Sequence, residues 1–325
     1  MQSSADTRSN GGTRDALVAA ILGFLSDGDF LVADDIRPAL EAEIDGAGPE
    51  ALLRLKERLS ADSGWDYYPP DPLARCVHRL LADRLLPPDS ALLGGEHLSR
   101  LPAGPLAIYS NHLSYADANL IEILLHRFGF VELASRLTAI AGPKVFTSRQ
   151  RRFSSLCFGT VKVPQSTEVS TEEAVLSARD VARAARRAIE AAHERLNAGD
   201  ALVIFAEGRR SRTGAMQPLL GGAARYLEIP GTIVLPVGLV GTDALFPIGD
   251  ESITPSRVMM TVGPPLDVRA IVADADGDRR TLMDAIGLAI ADLLPPAYRG
   301  VYGDEQQFPA AKDALRTASR LSPRT

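Results

Sequence analysis

Apolar residues follow two different spacings along this chain. Up to about residue 62 they recur at helical intervals, through "RDALVAAILGFLSDGD", "ADDIRPALEAEI" and "PEALLRLKERLSADSG". In the last of these, Leu52, Leu53, Leu55 and Leu59 fall mostly on one face. From about residue 73, short solid apolar runs alternate with amphipathic stretches. The runs "PLAIY", "LTAIAG", "GTVKVP", "ALVIF", "TIVLPVGLV" and "RVMMTVGPPLDV" predict strands. Between and around them, "RCVHRLLADRLL", "ANLIEILLHRF" and "TLMDAIGLAIADLL" predict helices. Strands as uniformly apolar as "LVIF" and "TIVLPV" are buried on both faces. The pattern therefore predicts an α/β fold, with a mixed, largely parallel sheet flanked by helices and preceded by a small N-terminal helical domain.

The longest predicted helix runs through "STEEAVLSARDVARAARRAIEAAHERLNAGD". Ser170 and Glu173 form a capping box at its start, and Gly199 supplies its stop. Ala178, Ala182, Ala185, Ile189, Ala192 and Leu196 make its apolar stripe. "DSGWDYYPPDP" cannot continue a helix and marks a boundary at which Trp65, Tyr67 and Tyr68 would pack. The expected layout is a disordered polar lead over 1–13, a helical domain over 14–65, an α/β domain over 73–300, and a tail over 301–325 with at most a short helix.

Composition narrows the classes. The 325 residues are 46% hydrophobic and 23% charged, which is enough apolar material for a full core. A net charge of −6 argues against nucleic acid as a partner. The two cysteines, Cys76 and Cys157, form no metal or disulfide framework and suit a reducing cytoplasm. The run "ALVAAILGFL" is about half the ~20 residues that span a bilayer, and reads as core rather than anchor.

Candidate chemistry sits in loops that each follow a buried strand, where α/β sheets carry their functional groups. The first is "SNHLSYAD", with Asn111, His112 and Asp117. His112 is a candidate base, with Asp117 to fix its tautomer; on its own, the same pattern also suits a capped turn. The second loop, "AEGRRSRTG", holds Glu207, Gly208, Arg209, Arg210, Ser211 and Arg212. Guanidinium groups there suit a phosphate, and glycines allow close backbone approach. The plainer readings are a solvated basic loop and a Glu207 that merely pairs with a neighbouring arginine. No G-x-S-x-G occurs, so the activated hydroxyl is expected to be the substrate's own.

"NHLSYAD" resembles the N-H-x4-D box of the glycerolipid acyltransferases, and "FAEGRRSRTG" their F-x-E-G-x-R-S box. "IAGPKVF" with "FGTVKVPQS" occupies the second box, and "VLPVGLVG" resembles the fourth, with "VGPPLDV" after it. The resemblance spans roughly residues 85 to 270. It implies His112 as general base, Asp117 as its orienting partner and Arg210 as the phosphate-binding arginine. Asn111, Lys144, Glu207, Gly208, Arg209, Ser211 and Arg212 would serve substrate binding, with Pro236 on the acyl side. The second box commonly ends in an arginine, where this chain has Gln165; Lys144 or Lys162 is the expected substitute for that charge.

The implied reaction moves a fatty acyl group from a thioester to a hydroxyl of glycerol 3-phosphate or 1-acylglycerol 3-phosphate. No metal or cofactor is expected; acyl-CoA or acyl-carrier protein is the co-substrate. The expected setting is cytoplasmic, with peripheral contact at an anionic membrane. Alternatives are a non-catalytic lipid- or phosphate-binding relative and a thioesterase. "SRQRRF" (Ser148 to Phe153) is either a solvated turn or a contact for anionic lipid, coenzyme A phosphates or an acidic carrier. His78, His97, His126 and His193 have no companion at ligand spacing.

Overall fold

A computed structural model describes residues 3–26, 33–61, 64–147, 149–164, 177–249, 253–274 and 278–321. The first half of the chain runs α1 (Ser3–Ser26), α2 (Ala33–Ser60), β1 (Tyr67–Tyr68), α3 (Pro72–Leu85), β2 (Ala91–Leu93), α4 (Gly95–Ser99), β3 (Leu106–Ser110), α5 (Asp117–Arg127) and α6 (Val131–Ser135). It continues through β4 (Leu137–Ala141), α7 (Arg149–Ser155), β5 (Gly159–Lys162), α8 (Ala178–Asn197), β6 (Ala201–Ile204) and β7 (Ile233–Val240). The last stretch is α9 (Thr242–Leu245), β8 (Met259–Val262), β9 (Leu266–Asp267), α10 (Val268–Asp274), α11 (Arg279–Ala291) and α12 (Pro309–Leu321).

The strands form one sheet in the order β1-β5-β4-β6-β3-β7-β8-β2, with β9 also paired to β7. The central strands β5, β4, β6, β3 and β7 are parallel, while β1, β8 and β9 join antiparallel. This is the mixed, largely parallel sheet expected from the solid apolar runs. Strand β3 shows why those runs are solid. Leu106 and Ile108 join a core with α1, α2, α3 and α5, while Ala107 and Tyr109 join one with α8, α11 and α12 on the opposite face. Every position must be apolar because helices cover both faces.

Three boundaries differ from the expected layout. The lead read as disordered over 1–13 is helical from Ser3, as the start of α1. The segment over 62–72 does not separate two domains, because Tyr67 and Tyr68 pair with Val161 and Thr160 as an edge strand. Val18, Ile36, Leu40 and Leu55 from the first two helices share one core with Leu106 and Leu235. A helix pair of this size buries too little alone, so its apolar faces close onto the sheet. The tail is likewise integral: Ala311, Ala314 and Ala318 of α12 are buried in the second core.

Helix α8 starts at Ala178 behind an N-cap at Ser177, whose hydroxyl accepts from the Asp180 amide. Ser170 and Glu173, like Gln165, lie outside the described residues. Its sheet-facing stripe is Ala184, Ala188, Ala191, Ala192 and Leu196, whereas Ala182 is exposed. Alanines permit close approach to the strands, and the larger Ile189 instead faces a cleft. Among the described residues, no helix is long and apolar enough to cross a membrane.

The C-terminal segment braces the arginine loop. The Met216 amide donates to the Tyr298 carbonyl at 2.9 Å, and the Val301 amide to the Met216 carbonyl at 3.2 Å. Between them Gly300 has φ +53, and a Cβ there would lie 2.0 Å from the Met216 carbonyl oxygen. Gly300→Ala combines left-handed strain with a backbone clash, so we expect a loss of about 2–4 kcal/mol. Urea unfolding of the variant checks this, and an unchanged midpoint would show that the segment can shift freely.

Candidate active site

The two loops lie far apart in sequence, yet β3 and β6 are hydrogen-bonded neighbours with Tyr109 beside Ile204. Their C-terminal loops therefore emerge side by side. The His112 carbonyl accepts the Ser211 amide at 2.7 Å, and Glu207 Oε1 accepts the His112 amide at 2.8 Å. Glu207 Oε2 accepts the Gln217 amide at 2.7 Å. Glu207 thus ties three stretches of backbone together rather than pairing with an arginine. Burial pushes its carboxyl up to about 7, even though both backbone donors favour the ionised form.

His112 and Asp117 meet as expected, with Nδ1 and Oδ2 2.8 Å apart. Asp117 is fully buried, and also accepts the Leu113 amide at 2.7 Å, the Ser114 amide at 3.0 Å and the Ser114 hydroxyl at 3.1 Å. A carboxylate so supplied with donors accepts from Nδ1–H, which leaves the Nε2 lone pair as the basic site. The imidazole lines the cleft and stacks on Phe205, with ring centroids 4.4 Å apart and planes at 20°. Phe205 was not singled out from sequence, although it opens the F-x-E-G-x-R-S box.

The cleft has a volume of about 1650 Å³. Leu55, Leu81, Phe153 and Ile253 give it apolar walls, while Lys144, Arg149, Arg151, Arg209, Arg210 and Arg212 give it a cationic side. That volume exceeds the ~300–1,000 Å³ of ordinary small-ligand sites and suits a long amphipathic molecule. Gly208 lines it with φ +70, a conformation that only glycine adopts readily. Arg210 stacks on Tyr115 with its Cζ 3.6 Å from the ring centroid; burial is the main cause of its lowered pKa.

Other expected residues serve elsewhere. Asn111 is fully buried, and both ends of its amide bond the Leu239 backbone, donating at 2.9 Å and accepting at 2.8 Å. It fastens the His112 loop to β7 and, fully buried, stands outside the cleft lining. Ser211 is buried and donates to the Ala215 carbonyl at 2.7 Å, closing the arginine loop on itself. Pro236 sits within β7 beside Tyr109 and under Gly263, away from the cleft. Lys162 is buried with its ammonium over Trp65 at 4.8 Å and Phe146 at 5.0 Å, outside the cleft, so of the two expected lysines Lys144 reaches it.

An acyltransferase family model matches residues 94–240. A 1-acyl-sn-glycerol-3-phosphate acyltransferase of Chlamydomonas reinhardtii is 27% identical over 211 residues, covering 64% of this chain and 54% of that protein. The chain thus spans about half the length of the curated relative it matches. Among solved structures, the 1-acyl-sn-glycerophosphate (LPA) acyltransferase PlsC from Thermotoga maritima aligns at 18% identity and a TM-score of 0.49, over 86% of this chain and 96% of that one. Both loops that build the cleft fall inside the segment that matches the acyltransferase family model.

Proposed function

We propose that this protein transfers a fatty acyl group from a thioester to a free hydroxyl of 1-acylglycerol 3-phosphate. The observation that carries this reading is the His112–Asp117 pair at 2.8 Å, with the imidazole lining a large cleft that has one apolar and one cationic side. The apolar side takes the acyl chains, and Arg210 with its neighbours takes the phosphate. The relative's name favours a monoacylated acceptor over glycerol 3-phosphate.

His112 Nε2 takes the hydroxyl proton as the oxygen attacks the thioester carbonyl. Asp117 stabilises the imidazolium that forms. The tetrahedral oxyanion collapses, the carbon–sulfur bond breaks, and the leaving thiolate recovers the proton from His112. An ester and a free thiol result. Because acceptor and product are both amphipathic, the encounter is expected at an anionic membrane surface.

Thiol release from palmitoyl-CoA and from palmitoyl-acyl-carrier protein tests the reading, with lysophosphatidate, with glycerol 3-phosphate and with neither. Release should depend on lysophosphatidate and fall by about 10²–10⁴-fold in His112→Ala. Release of free fatty acid without an acceptor would identify a thioesterase instead. Silence with both donors and every acceptor would remove the catalytic reading.

A further inference from the structure

Tyr115 lies inside the loop between His112 and Asp117, and its ring carries two guanidinium groups. Arg210 Cζ stands 3.6 Å from the ring centroid and Arg151 Cζ 4.4 Å from it. Arg210 comes from the loop after β6, and Arg151 from α7, so the ring gathers cations from two separate elements beside the imidazole. All three side chains line the same cleft as His112.

Like charges do not share one support without a reason. Arg210 holds its proton less tightly than an ordinary arginine, chiefly because it is buried, and Arg151 adds to the effect. The Tyr115 hydroxyl, which accepts a hydrogen bond from Arg210, and nearby Asp117 act in the opposite direction, but Asp117 already accepts four other hydrogen bonds. A dianion lying across both guanidinium groups relieves the repulsion, and a phosphate monoester offers three oxygens to their planar forks. The neutral ring suits this task better than a carboxylate, since it orients a cation through its π face without neutralising it.

We propose that Arg151 is a second ligand for the acceptor's phosphate beside Arg210, and that Tyr115 is the residue that positions both. The proposal rests on the acyltransferase reading above. It assigns Arg151 of the basic 149–153 run to the substrate and supplies the charge for which Lys162 is too far withdrawn.

The test is equilibrium binding to the full chain of lysophosphatidate and of a monoacylglycerol with the same acyl chain, in the same neutral detergent. Wild type should prefer the phosphorylated ligand. Arg151→Gln should weaken lysophosphatidate binding by about 10- to 100-fold and leave the monoacylglycerol unchanged, which also reports an intact fold. Arg151→Lys should recover only part of the loss, because an ammonium lacks the planar fork. Tyr115→Phe keeps the ring and loses only the hydroxyl's hydrogen bond with Arg210, so it should weaken lysophosphatidate binding far less than Tyr115→Leu, which should lose phosphate preference while keeping monoacylglycerol affinity. In turnover, Arg151→Gln should raise KM for the acceptor far more than it lowers kcat.

If Arg151→Gln binds lysophosphatidate like wild type while Arg210→Gln does not, the proposal is overturned and the acyltransferase reading stands. Equal weakening of both ligands would reduce Arg151 to a structural role and overturn it as well. If wild type itself fails to discriminate the two ligands, the proposal and the reading beneath it fall together.

Discussion

Asp117→Asn is expected to lower kcat by about 10²–10⁴-fold, the largest effect of any single substitution that keeps the side chain's shape. Asp117 accepts from His112 Nδ1, from two backbone amides and from the Ser114 hydroxyl. An asparagine has one carbonyl oxygen, so its amide nitrogen must face at least one of these donors. If that nitrogen turns to the ring, His112 must present Nδ1 as acceptor and carry its hydrogen on Nε2. The base then has no lone pair for the acceptor hydroxyl. In that orientation the Leu113 and Ser114 amides, which share Oδ2 with the ring, also lose their acceptor and the loop loosens, at about 1–3 kcal/mol each. If the amide turns the other way, its nitrogen faces only the Ser114 hydroxyl and the tautomer survives. What is lost then is the negative charge that stabilises the imidazolium. Steady-state kinetics beside urea unfolding separates the two. A folded variant within tenfold of wild-type kcat would show that Asp117 holds only the turn.

The second large effect is a pH dependence of stability centred on Glu207. Burial raises its carboxyl from 4.5 to about 7. Below pH 4.5 folded and unfolded chains both hold the proton, so the group contributes no difference. Between 4.5 and about 7 the unfolded chain releases it and the folded chain does not, so stability falls as pH rises. Above about 7 the loss is complete, on the order of 3 kcal/mol. Glu207→Gln removes this titration and sets an amide nitrogen against either the His112 or the Gln217 amide, a constant cost of about 1–3 kcal/mol. Urea midpoints from pH 5 to 8 should therefore decline more steeply for wild type than for the variant. Parallel curves would mean that the two backbone donors already keep Glu207 ionised at low pH.

Parts of this molecule were legible because their cause is local. Strands β3, β6 and β7 read as solid apolar runs because helices cover both faces of the sheet. Asp117 reaches back to the Leu113 and Ser114 amides, so one short stretch of chain nearly completes the His112–Asp117 pair. Legibility failed where one residue type serves two purposes. Asn111 and Ser211 look like substrate ligands because they are polar and sit in the boxes, yet they bond backbone inside the loops. The alanine-rich α8 offered several faces of similar hydropathy, and the sheet took the one with the smallest side chains.

By itself the sequence determined the layer type, the strands, and a histidine with its carboxylate at the end of one of them. Those follow from burial on two faces and from hydrogen bonds within a turn, both written in neighbouring residues. Tertiary structure decided that the N-terminal helices and the tail share the sheet's cores, because no short element covers its own apolar face. It also decided which charges meet. Arg151 and Arg210 come together on Tyr115 only because β3 lies against β6 and α7 folds beside them, and no spacing within the sequence encodes that distance.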